Sequence, residues 1–222
     1  MKRLTLDRVF GTAISLIGGG VLVGLGLSGS HLLEADRPTP TVAEAANAEI
    51  AQLTLELGQL KGTLSVNQLE LDRIQAVFQY SAAYRIPADL AGQIYDAAVA
   101  EGLHPSLGFQ LVKVESGFRR GARSNKSAIG YTQVRLRTAK EIDPSITERD
   151  LLDPSTNLRV GFRILKRMLR QFDHDLALAL RAYNLGPTGA VASLVDSTSD
   201  ARAAHYAERV MRGVKRGASR TD

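Results

Sequence analysis

A chain of 222 residues with 44% hydrophobic and 23% charged residues can build one folded domain with accessory segments and is too apolar for global disorder. It has no cysteine, which excludes a disulfide framework, a Cys-ligated metal site, a thiol nucleophile and a lipidated N-terminal Cys. The net charge of +5 and pI near 9.6 suit a polyanionic partner or simply a solubilising surface; with no zinc-finger spacing and no aromatic-interleaved basic strand, nucleic acid is not an expected partner.

Residues 1–9 hold Lys2, Arg3 and Arg8, and residues 10–28, FGTAISLIGGGVLVGLGLS, are free of charge over 19 positions. That length crosses a bilayer as a helix, and the positive flank keeps the N-terminus cytoplasmic. The length favours an uncleaved single-pass anchor in the inner membrane over a cleaved signal, for which Ser28-Gly29-Ser30 would be the processing site. Either way the rest of the chain is exported to the periplasm or its extracytoplasmic equivalent. Residues 29–46 follow as a linker, with the Pro-bearing 36–46 stretch read as extended.

Residues 47–81 carry a seven-residue repeat. One column holds Ile50, Leu57, Leu64, Leu71 and Phe78; the other holds Leu53, Leu60, Asn67, Ile74 and Ser81. This is the pattern of a coiled coil with one polar core residue, and it would make the protein a homodimer. The same pattern also serves a single helix packed on its own catalytic domain, and the residues alone leave both open.

From 82 to 214 the pattern changes to short amphipathic helices: 88–100, stopped at Gly102; Pro105 to Glu115; 136–142; a long helix opened by Asp153-Pro154; Asp175 to Tyr183, ended by Asn184-Leu185-Gly186-Pro187; and Asp200 to Val214 with a basic face. Thr147-x-x-Asp150 reads as a capping box. No alternating strand is evident, so the expected class is all-α. Residues 215–222 form a basic tail.

Glu115 is the candidate acid. It falls in the last turn of a helix beside Val112, Val114 and Phe118, where the helix dipole and apolar neighbours both favour the protonated form. Asp143, Asp150 and Asp153 sit at turn and cap positions instead. No cofactor and no metal are expected.

Five segments in order surround Glu115: YRIPADLAGQIYDAAVAEGLHPSLGF, LVKVESGF (111–118), Ser124 with SAIGYTQ (127–133), DPSTNLRVG (153–161) and AYNLGP (182–187). In order and spacing, over about residues 84–212, this resembles the catalytic domain of the soluble-type lytic transglycosylases, relatives of goose-type lysozyme. The resemblance implies a lysozyme-like all-α fold and cleavage of peptidoglycan glycan strands between N-acetylmuramic acid and N-acetylglucosamine. It implies Glu115 as sole general acid and base and a 1,6-anhydro product, the substrate's own N-acetyl oxygen taking the place of a second carboxylate. It also assigns Ser124, Gly130, Gln133, Tyr183 and Asn184 to substrate binding. Gln133 would bond substrate or the acid, Gly130 would admit close backbone approach, Tyr183 would bring its hydroxyl near Glu115, and Asn184 would brace the loop or serve only as a helix C-cap. The chain departs from the family loop at Ser127, Tyr131, Thr132 and Leu136, and Thr132 removes an apolar contact to the sugar. A hydrolase of the same fold, or a weakly active muramyl-binding module, are the alternatives.

Overall fold

A computed structural model describes residues 40–194 and 197–218. The expected anchor at 10–28 lies outside them; among the described residues no helix is long and apolar enough to cross a membrane. The chain divides into two units, Met1–Leu55 and Glu56–Asp222.

Helix α1, Val42–Tyr84, begins inside the stretch read as extended linker. The reason is local. Thr41 and Glu44 form a reciprocal capping box, with the Thr41 amide and hydroxyl donating to Glu44 Oε2 at 2.7 and 2.9 Å and the Glu44 amide donating to Thr41 Oγ1 at 3.3 Å. The following Ala-Glu-Ala-Ala then has high helix propensity.

The second unit takes only the end of α1 into its core. Arg73 bridges Asp96 of α2 (Ala88–Ala100) at 2.7 and 2.5 Å, Val77 is buried, and Tyr80 and Tyr84 stack on Phe109 with ring centroids 4.2 and 5.3 Å away. Phe109 lies on α3, Pro105–Ser116, and is fully buried. The heptad columns face elsewhere: Leu57, Leu60, Leu64, Leu71 and Phe78 are all exposed. Of the two uses of the helix left open, packing on the folded unit is seen only over its last turns, through Val77, Tyr80 and Tyr84.

A two-residue ribbon follows, β1 (Ala128–Ile129) antiparallel to β2 (Val134–Arg135), with Ala128 opposite Arg135 and Ile129 opposite Val134. Strands this short carry no readable alternation, which is why none was expected. Helix α4 (Leu136–Lys140) comes next. The Thr147–Asp150 box forms as read, with the Thr147 amide and hydroxyl donating to Asp150 Oδ2 at 2.9 and 2.6 Å, but it opens only a three-residue 3-10 turn.

Helix α5 (Pro154–Gln171), N-capped by Asp153, is the central strut. Leu158, Phe162 and Leu165 face the main core with Ile94 and Ala98 of α2 and Leu111 and Val112 of α3. Val160 and Ile164, on its other side, face a second cluster with Ile129, Val134, Ala139 and Leu151. A helix buried on two sides clamps the ribbon and its loop to the main core.

Helix α6 (Leu176–Leu185) is N-capped by Asp175. The Asn-Leu-Gly-Pro signal ends it but also starts another helix, α7 (Pro187–Ala192), because Gly186 at φ 82° turns the chain and Pro187 takes the first helical position. Helix α8, Ser197–Ala218, packs Ala203, Tyr206, Ala207 and Val210 into the core at spacings of three and four; its backbone extends into the first four residues of the basic tail.

The final turns of α1 therefore belong to the second unit's core. A chain begun at Arg85 should lose roughly 3–5 kcal/mol relative to one begun at Leu69, read as a lower melting temperature of the helical signal in circular dichroism.

Candidate active site

Glu115 stands in the last turn of α3, partly exposed, its neighbours Val112 and Ser116 fully turned inward. The helix stops there because Gly117 adopts the left-handed conformation at φ 58°, and Phe118 follows at φ 63°. Tyr84 meets the Phe118 ring edge-on at 5.3 Å, holding this exit in place. The Ser116 hydroxyl donates back to the Val112 carbonyl at 3.1 Å, and Arg119 Nε donates to the Ser116 carbonyl at 2.9 Å. The Ser beside the acid is thus a helix-end residue whose hydroxyl is already committed.

Burial pushes the Glu115 carboxyl up to about 7, against two weaker opposing effects: a hydrogen bond from Tyr206 and the charge of Arg209. The Tyr206 hydroxyl donates to Glu115 Oε1 from α8, 91 positions away. Burial and the neighbouring carboxylate raise Tyr206 well above the usual phenol range, so it remains a donor. A group near 7 is present in both protonation states at neutral pH, as an acid that must also act as a base requires.

Tyr183, expected to bring its hydroxyl near Glu115, donates to the Thr132 carbonyl at 2.8 Å. It is close enough to Glu115 for the carboxylate, after burial, to raise its own titration further. The direct bond to the carboxyl comes from Tyr206, a residue the sequence reading did not single out. The reading missed it by seeing only the basic face of the last helix, although Ala203, Tyr206, Ala207 and Val210 mark a buried face on which a phenol needs a partner. Asn184 is exposed and its side chain makes no hydrogen bond among the described residues, so it braces nothing there.

The loop residues are brought together, but around each other. Gln133, at φ 49°, donates from Nε2 to the carbonyls of Ala122 and Gly130, both at 3.0 Å, and not to Glu115. Ser124 Oγ accepts from the amides of Lys126 and Ala128 at 3.2 and 3.1 Å and closes the turn. Ser127, where the family pattern has Gly, takes a left-handed φ of 57°, a strained conformation for a residue with a Cβ.

Asn157 on α5 is the keystone of this loop. Its Nδ2 donates to the carbonyls of Ile129 and Leu151, both at 2.9 Å, while Oδ1 accepts from the Thr132 amide at 2.9 Å and hydroxyl at 2.8 Å. Gly130, at φ 77°, admits it: a Cβ there would stand 2.3 Å from Asn157 Nδ2. Gly161 likewise admits Thr132, whose Oγ1 would lie 2.3 Å from an added Cβ. Thr132 is fully buried, so its departure from the family pattern is absorbed inside the fold. The Asn-x-x-x-Gly spacing of the 153–161 motif is explained by this lock.

The other acids serve as local caps. Asp143 accepts from the Ser145 amide and hydroxyl at 2.9 and 2.6 Å, and Asp153 from the Thr156 amide at 2.8 Å. These bonds hold Asp143, Asp150 and Asp153 below the usual carboxylate range. Among the described residues no group of His, Asp or Glu could hold a metal ion. A pocket of about 380 Å³ near Asp143, Asp150, Arg159 and Arg163 has none of the site residues in its wall.

A mainly helical domain with one burial-perturbed acid at the end of a core helix is of the lysozyme-like class. Within that class the chain belongs to the transglycosylase SLT domain family, whose pattern matches residues 93–206 and so ends on Tyr206. Among solved structures it is similar to an inactive Glu-to-Gln variant of the lytic transglycosylase Slt from Pseudomonas aeruginosa. That match has 27% identity and a TM-score of 0.51, covering 55% of this chain and 22% of that one. The 70 kDa soluble lytic transglycosylase of Escherichia coli matches at 19% identity and a TM-score of 0.48, over 66% of this chain and 29% of that one, too distant to bear on the argument. The chain thus spans less than a third of either relative's length.

The lock makes a specific demand on Asn157. Asn157→Ala should cost roughly 3 kcal/mol by leaving buried carbonyls and an amide unpaired, and glycan release should fall although Glu115 is untouched; thermal melting and a turbidity assay on cell-wall sacculi check the two effects.

Proposed function

We propose that the chain is a peptidoglycan lytic transglycosylase that cuts between N-acetylmuramic acid and N-acetylglucosamine with Glu115 as both acid and base. The observation that carries this reading is the Glu115 carboxyl, raised to about 7 by burial and bonded by Tyr206. Family membership supports it, as does the inactivity of the Glu-to-Gln variant of the Pseudomonas relative.

In this scheme protonated Glu115 gives its proton to the glycosidic oxygen, and the C1–O bond breaks as the glucosamine hydroxyl departs. The muramic N-acetyl oxygen stabilises the positive charge at C1. Glu115, now a carboxylate stabilised by the Tyr206 donor and the Arg209 charge, takes the proton of the muramic 6-hydroxyl as that oxygen bonds to C1. The acid is regenerated and no water is consumed. Tethering the nucleophile to the reacting ring gives it a high effective concentration. The capping roles of Asp143, Asp150 and Asp153 agree with a route that needs one carboxylate. The inward Thr132 weakens the case for a non-catalytic binding module, since the substitution that motivated it is absorbed by the fold. We place the domain outside the inner membrane, held by residues 10–28 as a single-pass anchor.

Uncrosslinked glycan strands should yield 1,6-anhydromuramyl ends, each one water lighter than a hydrolysed end in mass spectrometry. A digest dominated by reducing ends would make the enzyme a lysozyme-type hydrolase.

Activity should fall as pH rises through about 7 and the acid is lost. Removing the Tyr206 donor from the carboxylate in Tyr206→Phe should move that limb to higher pH and lower kcat roughly 10–100-fold. The linked stability effect has a definite sign. The native state binds a proton that the unfolded chain has released above pH 4.5, so stability should decline from about pH 4.5 to 7 and level off beyond it. The decline is roughly 3 kcal/mol at most. Glu115→Gln should abolish glycan release and remove this decline, which melting curves from pH 4 to 9 would register.

A further inference from the structure

Helix α1 has two apolar faces; the catalytic unit covers the end of one, leaving Leu55, Val66 and Leu69 exposed upstream on it. Arg73, Val77, Tyr80 and Tyr84 turn towards α2 and α3. Leu57, Leu60, Leu64, Leu71, Ile74 and Phe78 are 56, 61, 67, 52, 38 and 62% exposed. On a helical wheel the mean directions of the two sets lie roughly 140° apart. The stripe is therefore a continuous seam of large side chains facing away from the domain to which the helix is attached.

We propose that the occupant of this seam is a second copy of the chain, joined as a parallel, in-register, two-stranded coiled coil over Leu57–Phe78. Charge placement selects the arrangement. Taking Leu57 as position a puts Glu56 at g and Lys61 at e, the pair that faces across a parallel dimer, Glu56 of one copy against Lys61 of the other. Antiparallel packing would set g against g and e against e, separating Glu56 from Lys61. Asn67 falls at d in the middle of the seam; in register it meets Asn67 of the second copy, and out of register it is buried against leucine. Gly58 and Gly62 fall at b and f, off the seam, and nothing lies within 4 Å of a Cβ added at either. They lower helix propensity without interrupting the contact.

The absence of cysteine makes the test direct. Single variants Leu57→Cys and Leu71→Cys of the full chain in mild detergent are oxidised alongside Gln59→Cys, an off-seam control. Both seam variants should link at least tenfold more than the control, and sedimentation should give the mass of two copies. Linking only when Leu57→Cys is mixed with Leu71→Cys would overturn the parallel arrangement, and linking no greater than the control would overturn the seam. A one-, three- or four-copy mass would overturn the two-stranded state. Leu60→Asp with Leu64→Asp should abolish the two-copy mass while leaving catalytic-domain melting and glycan release at wild-type levels. Persistence of the dimer in that variant, through the membrane segment for example, would also overturn the proposal, as would loss of the domain's melting transition.

Discussion

One constraint governs the domain: a carboxyl at the C-terminal end of a buried helix must be kept from water yet remain able to ionise. Burial raises the proton affinity of Glu115 and the negative end of α3 adds to it, so a donor is needed to keep the carboxylate accessible. Tyr206 supplies that donor. For its hydroxyl to arrive, α8 must come close to α3, and the small Ala203 and Ala207 flank Tyr206 on its inner face. The two ends of the matched family region are in this sense one device, with the acid near the start and its partner at the last matched residue.

The second constraint is the loop between α3 and α4. A loop rich in left-handed residues (Phe118, Ser127, Gly130 and Gln133) does not hold its shape by local preference. Three hydrogen bonds with one buried amide, Asn157, over-determine it, and a fourth ties that amide to Leu151. The motif residues that resembled a substrate-binding loop are therefore first a self-consistent structure. Thr132 shows how substitution works in such a setting: its hydroxyl satisfies Asn157 and its volume fits the space that Gly161 leaves.

Helix α1 serves the second unit only at its C-terminal end. Its last three turns complete the aromatic stack over Phe109 and fix the exit of α3 through Tyr84 and Phe118. The same turns carry the end of the exposed heptad stripe, so one helix serves the core on one face and leaves the other free for association.

Local signals were legible without a structure. Asp153-Pro154, Asp175, Gly102, Gly117 and the Thr147–Asp150 box act within a few residues of themselves, and each stands where the sequence placed it. Glu115 was legible as an acid because apolar neighbours and a helix end are properties of its own segment. The helical start at Val42 and the whole of α7 were missed because a capping box and a Gly-Pro step each support two readings over short range. The partners of the site were not legible at all. Whether Tyr183 or Tyr206 bonds Glu115, whether Gln133 faces the acid or its own loop, and whether the heptads cover the domain or lie open depend on which surfaces meet. Those meetings join residues tens of positions apart, where no periodicity in the chain reports on geometry. The sequence by itself determined most of the helices, several of their ends and the candidate acid; only the tertiary structure decided what each polar group bonds, because a buried donor takes whichever acceptor the packing of distant helices brings within reach.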